Sequence, residues 1–203
     1  HKDKIAVEFN GLMFHSYGVS QYGMFNNLSK LNKNRHLEKT EKCEEKGYSL
    51  LHIFENEFLD KNKKEIWFSI IRNRLKLNNK IPARKCIVKE ISSDESNLFL
   101  EQNHLQGKCN ASIRIGLYYK NELVSLMTFG KSRYNKNYQY ELIRFCSKIN
   151  NNVIGGANKL LKYFETKYKP KSLISYANRR FSRGKIYETL GFSPLIPYFS
   201  EYI

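Results

Sequence analysis

The sequence predicts an α/β (α+β) chain in two parts, residues 1–80 and 81–203. Three observations carry that expectation. Short apolar, β-prone runs alternate with segments whose apolar residues recur at helical spacing. Two apolar runs, 111–119 and 123–129, are joined by Lys120-Asn121-Glu122, which predicts a hairpin and an antiparallel component. Between the parts, Asn78-Asn79-Lys80-Ile81-Pro82 interrupts the periodic pattern and marks a boundary.

Taken in order, residues 4–9 (Lys-Ile-Ala-Val-Glu-Phe) predict a strand that Asn10-Gly11 breaks. Residues 16–34, rich in Ser, Asn, Gly and Tyr, predict a loop. A helix follows over 36–46, with Gly47 as its stop. Residues 48–54 predict a strand, and 55–76 one long helix with Ile66, Ile70, Ile71 and Leu75 on a single face. Beyond the boundary come a strand (85–90), a helix (93–103) with Ser93 as its cap and Asn97 in third place, and the hairpin. Residues 140–147 predict a strand, and Gly155-Gly156 opens a helix bearing Leu160, Leu161, Phe164 and Tyr168. A strand (173–177) and a short helix (183–190, ended by Gly191) complete the series.

Charge is the strongest global signal. Lys and Arg number 35 against 19 Asp and Glu, a net charge of +16 over 203 residues, which favours a polyanionic partner, DNA foremost. Residues 1–80 hold 15 basic and 10 acidic side chains, residues 81–203 hold 20 and 9, so the second part carries more of the excess. With 41% hydrophobic residues a packed core is expected. No run approaches the roughly 18 apolar residues of a membrane span, and no membrane role or secretory signal is expected. Cys43, Cys86, Cys109 and Cys146 show no C-x-x-C spacing, which argues against a cysteine zinc site and suits reduced thiols in a cytoplasm.

Glu8 and Asn10 fall on one face of the first strand. A carboxylate there can hold Mg²⁺, and a neighbouring amide can orient water or a phosphate oxygen. His15, just beyond, is an imidazole able to take a proton near neutral pH. Glu8-Phe9-Asn10-Gly11, Phe14-His15, His36-Leu37-Glu38-Lys39-Thr40 and Gly47 to Glu55, in that order, resemble the core of very-short-patch-repair-like endonucleases. That group includes phage homing nucleases of the PD-(D/E)XK superfamily, whose core is restriction-endonuclease-like. The resemblance covers residues 4–76. It implies Glu8 as the metal-holding acid, Asn10 where many relatives carry Lys, His15 as proton carrier, and His36 and Lys39 near the scissile phosphate. The family also has an Asp on a preceding strand. Asp3 is too close to Glu8 and on the opposite face to replace it, so the expectation is a truncated core lacking one ligand.

In the second part, Asn152-Val-Ile-Gly155-Gly156-Ala157 opens a helix after a strand, and bare backbone N–H groups at a helix start bind phosphate. With Ile186-Tyr187-Glu188-Thr189-Leu190-Gly191-Phe192, this order resembles the GNAT acyltransferases. There the Gly-rich turn carries the pyrophosphate of acyl-coenzyme A and the late tyrosine serves as general acid. Asn152, Gly155, Gly156, Ala157 and Tyr187 inherit those roles. Glu141-Leu-Ile-Arg144-Phe and Ser175-Tyr-Ala-Asn178 resemble the Mom-type phage DNA-modification proteins, many of which carry Asp where Asn178 stands. Glu141 and Arg144, three residues apart, share a face only if a bulge intervenes. His104 lies in a candidate substrate loop or caps its helix. Lys131, Arg133 and Tyr134, with Arg144, Arg179, Arg180 and Arg183, form basic stretches with interleaved aromatics, suited to phosphate contact and base stacking.

The expectation is therefore a Mg²⁺-dependent DNA endonuclease of phage homing type with a GNAT-like domain that grips DNA, in a host cytoplasm. Two alternatives stand beside it: an acyl-coenzyme A-dependent DNA base modifier, and a non-catalytic DNA-binding protein. Oligomeric state is left open.

Overall fold

The computed structural model describes residues 4–11 and 35–195. His15, Asp3 and the expected loop at 16–34 lie outside the described residues. The fold is α+β, and among the described residues no helix is long and apolar enough to cross a membrane. The described chain divides into two compact units. The first gathers residues up to Asp60 with Ala177–Thr189, and the second gathers Lys61–Tyr176 with Leu190–Phe192. This division differs from a cut at residue 80. Residues 61–80 join the second unit, and 177–189 return to the first.

In the first unit, β1 (Ile5–Asn10) pairs in parallel with β2 (Ser49–Phe54), and α1 (Arg35–Glu45) is the described helix between them. Gly47, at φ +78°, makes the left-handed turn from helix to strand that a Cβ would strain. All of β2 after Ser49 is buried, whereas β1 exposes Val7 and Phe9 on its second face. The expected helix over 55–76 is instead two, α2 (Glu55–Leu59) and α3 (Lys61–Arg74). Asp60, with ψ near 120°, leaves helical geometry between them. The segment 177–189 follows the edge of β2, where Arg180 accepts the N–H of His52 at 2.9 Å.

The second unit is built on a five-stranded mixed sheet in the order β4-β5-β6-β7-β9. Its strands are Ile87–Glu90, Ile113–Tyr119, Glu122–Lys131, Tyr140–Ser147 and Leu173–Ser175; all neighbours are antiparallel except β7 and β9. Lys120 and Asn121 both take positive φ, the tight turn the hairpin signature predicted. A parallel pair must be joined by a crossover, and the helix α5 (Gly156–Tyr168) supplies it. Its Phe164 stacks on Phe129 of β6 with centroids 3.8 Å apart, at the centre of the main core. The other sheet face packs Leu126 against Phe99 and Leu100 of α4 (Ser93–Asn103).

Three sequence expectations change here. The boundary segment is itself a strand, β3 (Asn79–Pro82), paired in parallel with β8 (Asn151–Ile154). On α3, Ile66, Trp67 and Ser69 are buried, and Leu75, one residue past its end, is exposed; the helix docks on the turn before β8, where Ser69 Oγ accepts the Asn150 N–H at 2.7 Å. The cap of α4 is Ser92, whose hydroxyl accepts the Glu95 N–H; Ser93 lies one residue inside and meets the Asn97 amide.

Candidate functional site

Parallel pairing sets Glu8 directly beside His52, each the fourth residue of its strand, so both side chains leave the sheet on one face. On α1, His36 and Thr40 are four residues apart and both buried, and Lys39 stands one residue before Thr40. Helix and strands converge on one cluster. Lys39 Nζ contacts Glu8 Oε1, and His52 Nδ1 lies 3.2 Å from Glu8 Oε2. The His36 ring meets His52 edge-on, centroids 5.1 Å apart, and meets Phe54 at 5.7 Å. One donor atom from each of Glu8, His36 and His52 lies within 4.8 Å of the other two. Asn10, two residues past Glu8 on the same strand face, is fully buried, and neither atom of its amide has a partner among the described residues.

Thr40 bridges the two histidines: its hydroxyl lies 2.9 Å from the His36 carbonyl, four residues back in the helix, and 2.9 Å from His52 Nε2. The other ring nitrogen of His52, Nδ1, faces Glu8 Oε2. Burial pushes the His52 imidazole below its ordinary value of 6.5; Glu8 pulls it back up, while the Lys39 and Arg180 charges lower it further. Burial acts to raise the Glu8 carboxyl, but the Lys39 hydrogen bond and charge outweigh it, with the two imidazoles adding to the effect where they are protonated, and the carboxyl is held low. At neutral pH Glu8 is thus a carboxylate and His52 a neutral imidazole.

Of the residues singled out in the sequence, Glu8, His36 and Lys39 meet here, with Asn10 on the same strand face. His52 was not singled out. Its signal was its place in the sequence, fourth in a strand of the same length as the one holding Glu8, legible only once the two strands are known to pair in register. A magnesium ion, which the resemblance implies, wants near-octahedral oxygen ligands. The described residues offer one carboxylate and two imidazoles, and that donor set does not fit it.

The other singled-out residues lie elsewhere. Arg179 and Arg183 both pair with Glu44, and Arg180 pairs with Glu57 while lying over the Phe54 ring. These arginines hold 177–189 to the first unit, their side chains only 17%, 18% and 24% exposed in numerical order. Tyr187 belongs to that same segment and unit, in the helix Lys185–Thr189, whereas the Gly155-Gly156 turn belongs to the second. Asn152 is a strand residue paired with Lys80. Gly155, at φ +78°, caps α5, followed by Gly156 and Ala157. A Cβ on Gly156 would come within 3.0 Å of Val153, so packing by itself favours glycine there. Lys159, the cation of that first turn, is bound to the carbonyls of Ala83 and Cys86.

In the second unit, a register shift between β6 and β7 leaves Ile143 without a partner and returns Arg144 to the face of Glu141. Glu141 is buried and accepts from the Arg133 guanidinium and backbone N–H. Lys131 is exposed at the end of β6, and Tyr134, 75% exposed, sits edge-on to Tyr176 with Arg133 beside it. His104 caps α4 and its Nδ1 accepts the Gln106 N–H. Burial, aided by the Arg144 charge, pushes this imidazole down to about 3.

No known protein family matches the chain, and no curated protein matches it. Among solved structures, the chain is similar to an integron cassette protein from the mobile metagenome of V. cholerae, at 12% identity and a TM-score of 0.41, over 57% of this chain and 91% of that one.

Proposed function

We propose that this chain hydrolyses phosphodiester bonds in DNA and that the Glu8, His36, Lys39 and His52 cluster is its centre. The observation that carries this reading is the convergence of a strand carboxylate, a helix lysine and two histidines from three elements. Glu8 is anionic at neutral pH and placed to orient an attacking water by accepting its hydrogen bond. Lys39 is half exposed beside it, so its ammonium is placed to meet a non-bridging phosphate oxygen as charge develops. His36 packs edge-on against the His52 ring and Thr40 contacts its Nε2, which together hold the ring in place. The buried amide of Asn10 offers both a donor and an acceptor on the same strand face, for water or phosphate. The net charge of +16 supplies attraction to the polyanion.

Nicking of supercoiled plasmid tests this, run with a series of divalent cations in parallel. The expected result is open-circular product from the chain as given, and loss of activity by about 10²-fold or more in Glu8→Gln. Binding of duplex without nicking under any cation would overturn the hydrolytic reading.

A further inference from the structure

We infer that Glu8, His36 and His52 form a site for one divalent transition-metal ion of the Zn²⁺ or Co²⁺ class, and that Mg²⁺ is not its natural occupant. The inference rests on the hydrolytic reading of the same cluster and gives it a metal class, but it is testable without any cleavage. Borderline cations choose imidazole nitrogen with a carboxylate, whereas Mg²⁺ and Ca²⁺ choose oxygen alone. Glu8 Oε2 and His52 Nδ1 already stand 3.2 Å apart. Two donors on one tetrahedral zinc, with bonds of about 2.0 Å, are separated by roughly 3.3 Å. The third donor, from His36, lies within 4.8 Å of these, and closing that gap takes up to about 1.5 Å of side-chain adjustment.

The surroundings are those of a ligand set. Thr40 contacts His52 Nε2 and leaves Nδ1 facing Glu8, the arrangement in which an outer hydrogen bond orients a metal-bound imidazole. Lys39 now compensates Glu8 from the solvent side, on a half-exposed side chain that is able to swing away as a divalent ion enters. The fully buried, unsatisfied amide of Asn10 among the described residues gives an independent sign of a missing guest, since a metal-bound water on that face would satisfy it. Three protein donors leave at least one position of the ion open, the pattern of catalytic rather than structural zinc.

The test is a titration of the chelator-treated full chain with Co²⁺, followed by visible absorption. The expected result is one Co²⁺ per chain, with the intensified bands of a four- or five-coordinate site. Equimolar Zn²⁺ should displace it, while a roughly hundredfold excess of Mg²⁺ should not. Glu8→Gln should weaken binding about tenfold or more. His52 is fully buried, so replacing it risks the fold; Glu8→Gln, on a partly exposed carboxylate and checked by unchanged circular dichroism, is the deciding variant. No saturable Co²⁺ band, displacement by Mg²⁺, or binding untouched by Glu8→Gln would overturn the inference. Its failure is distinct from that of the hydrolytic reading. Co²⁺ binding without nicking upholds the metal site and sinks the hydrolase, and nicking with Mg²⁺ but no Co²⁺ binding does the reverse.

Discussion

His52 is the residue on which the cluster turns, and its titration predicts how the first unit responds to acid. Its imidazole is depressed by burial, so the unfolded chain binds a proton there more readily than the folded one. The resulting stability is complete above the ordinary value of 6.5 and falls away as pH drops below it. Glu8 acts in the same sense at lower pH, since a carboxyl held low loses its contribution as pH falls through its folded value. The protection factors of the β2 amides, with the slower intrinsic exchange at lower pH divided out, should therefore fall between pH 7 and 5 in the wild type; protection factors independent of pH over that range would contradict the assignment. Glu8, His36 and Lys39 were legible as residues because each sits in a motif with chemistry attached. His52 was not, because a histidine in an apolar run reads as core, and only the pairing partner reveals what it faces. The arginines at 179, 180 and 183 were read as a basic surface for the same reason: their carboxylate partners, Glu44 and Glu57, lie far away in sequence.

At the scale of elements, periodicity and turn chemistry located most strands and helices, and they failed where a neighbour decides the outcome. Residues 78–82 contain two asparagines and a proline and read as punctuation; 79–82 form a strand because β8 pairs with them. The helix over 55–76 breaks at Asp60, for which periodicity gave no sign because both halves are helix-prone. The cap of α4 moved by one residue, and this gives a sharp prediction. Ser92→Ala should cost about 1 kcal/mol of stability and Ser93→Ala close to nothing, measured as shifts in the thermal midpoint. Equal shifts would contradict the cap assignment. At the start of α5, Gly156→Ala forces a methyl against Val153 and Leu117, both within 3.3 Å, and should destabilise by about 1–3 kcal/mol. An unchanged midpoint would show that this turn is not held by packing.

For the whole molecule, the two-part organisation and the α+β class were legible, and the course of the dividing line was not. Residues 177–189 follow the second unit in sequence but pack in the first, through Arg179, Arg180 and Arg183, and no local signal distinguishes a segment that turns back from one that stays. Charge also belongs to this scale. With +16 overall, duplex binding should weaken steeply with salt, by roughly 10³-fold between 50 and 200 mM if about six phosphates are neutralised. A flat salt response in a binding titration would remove DNA as the partner. The central claim, that the Glu8 cluster breaks phosphodiester bonds, is tested most directly by single-turnover cleavage of an end-labelled duplex at saturating protein, where affinity drops out. Measurable cleavage by the wild type is expected, with a loss of about 10²-fold or more in Glu8→Gln and in Lys39→Met, and a wild-type rate in Arg133→Gln, whose guanidinium serves Glu141 in the other unit. Cleavage by Glu8→Gln at the wild-type rate would contradict it.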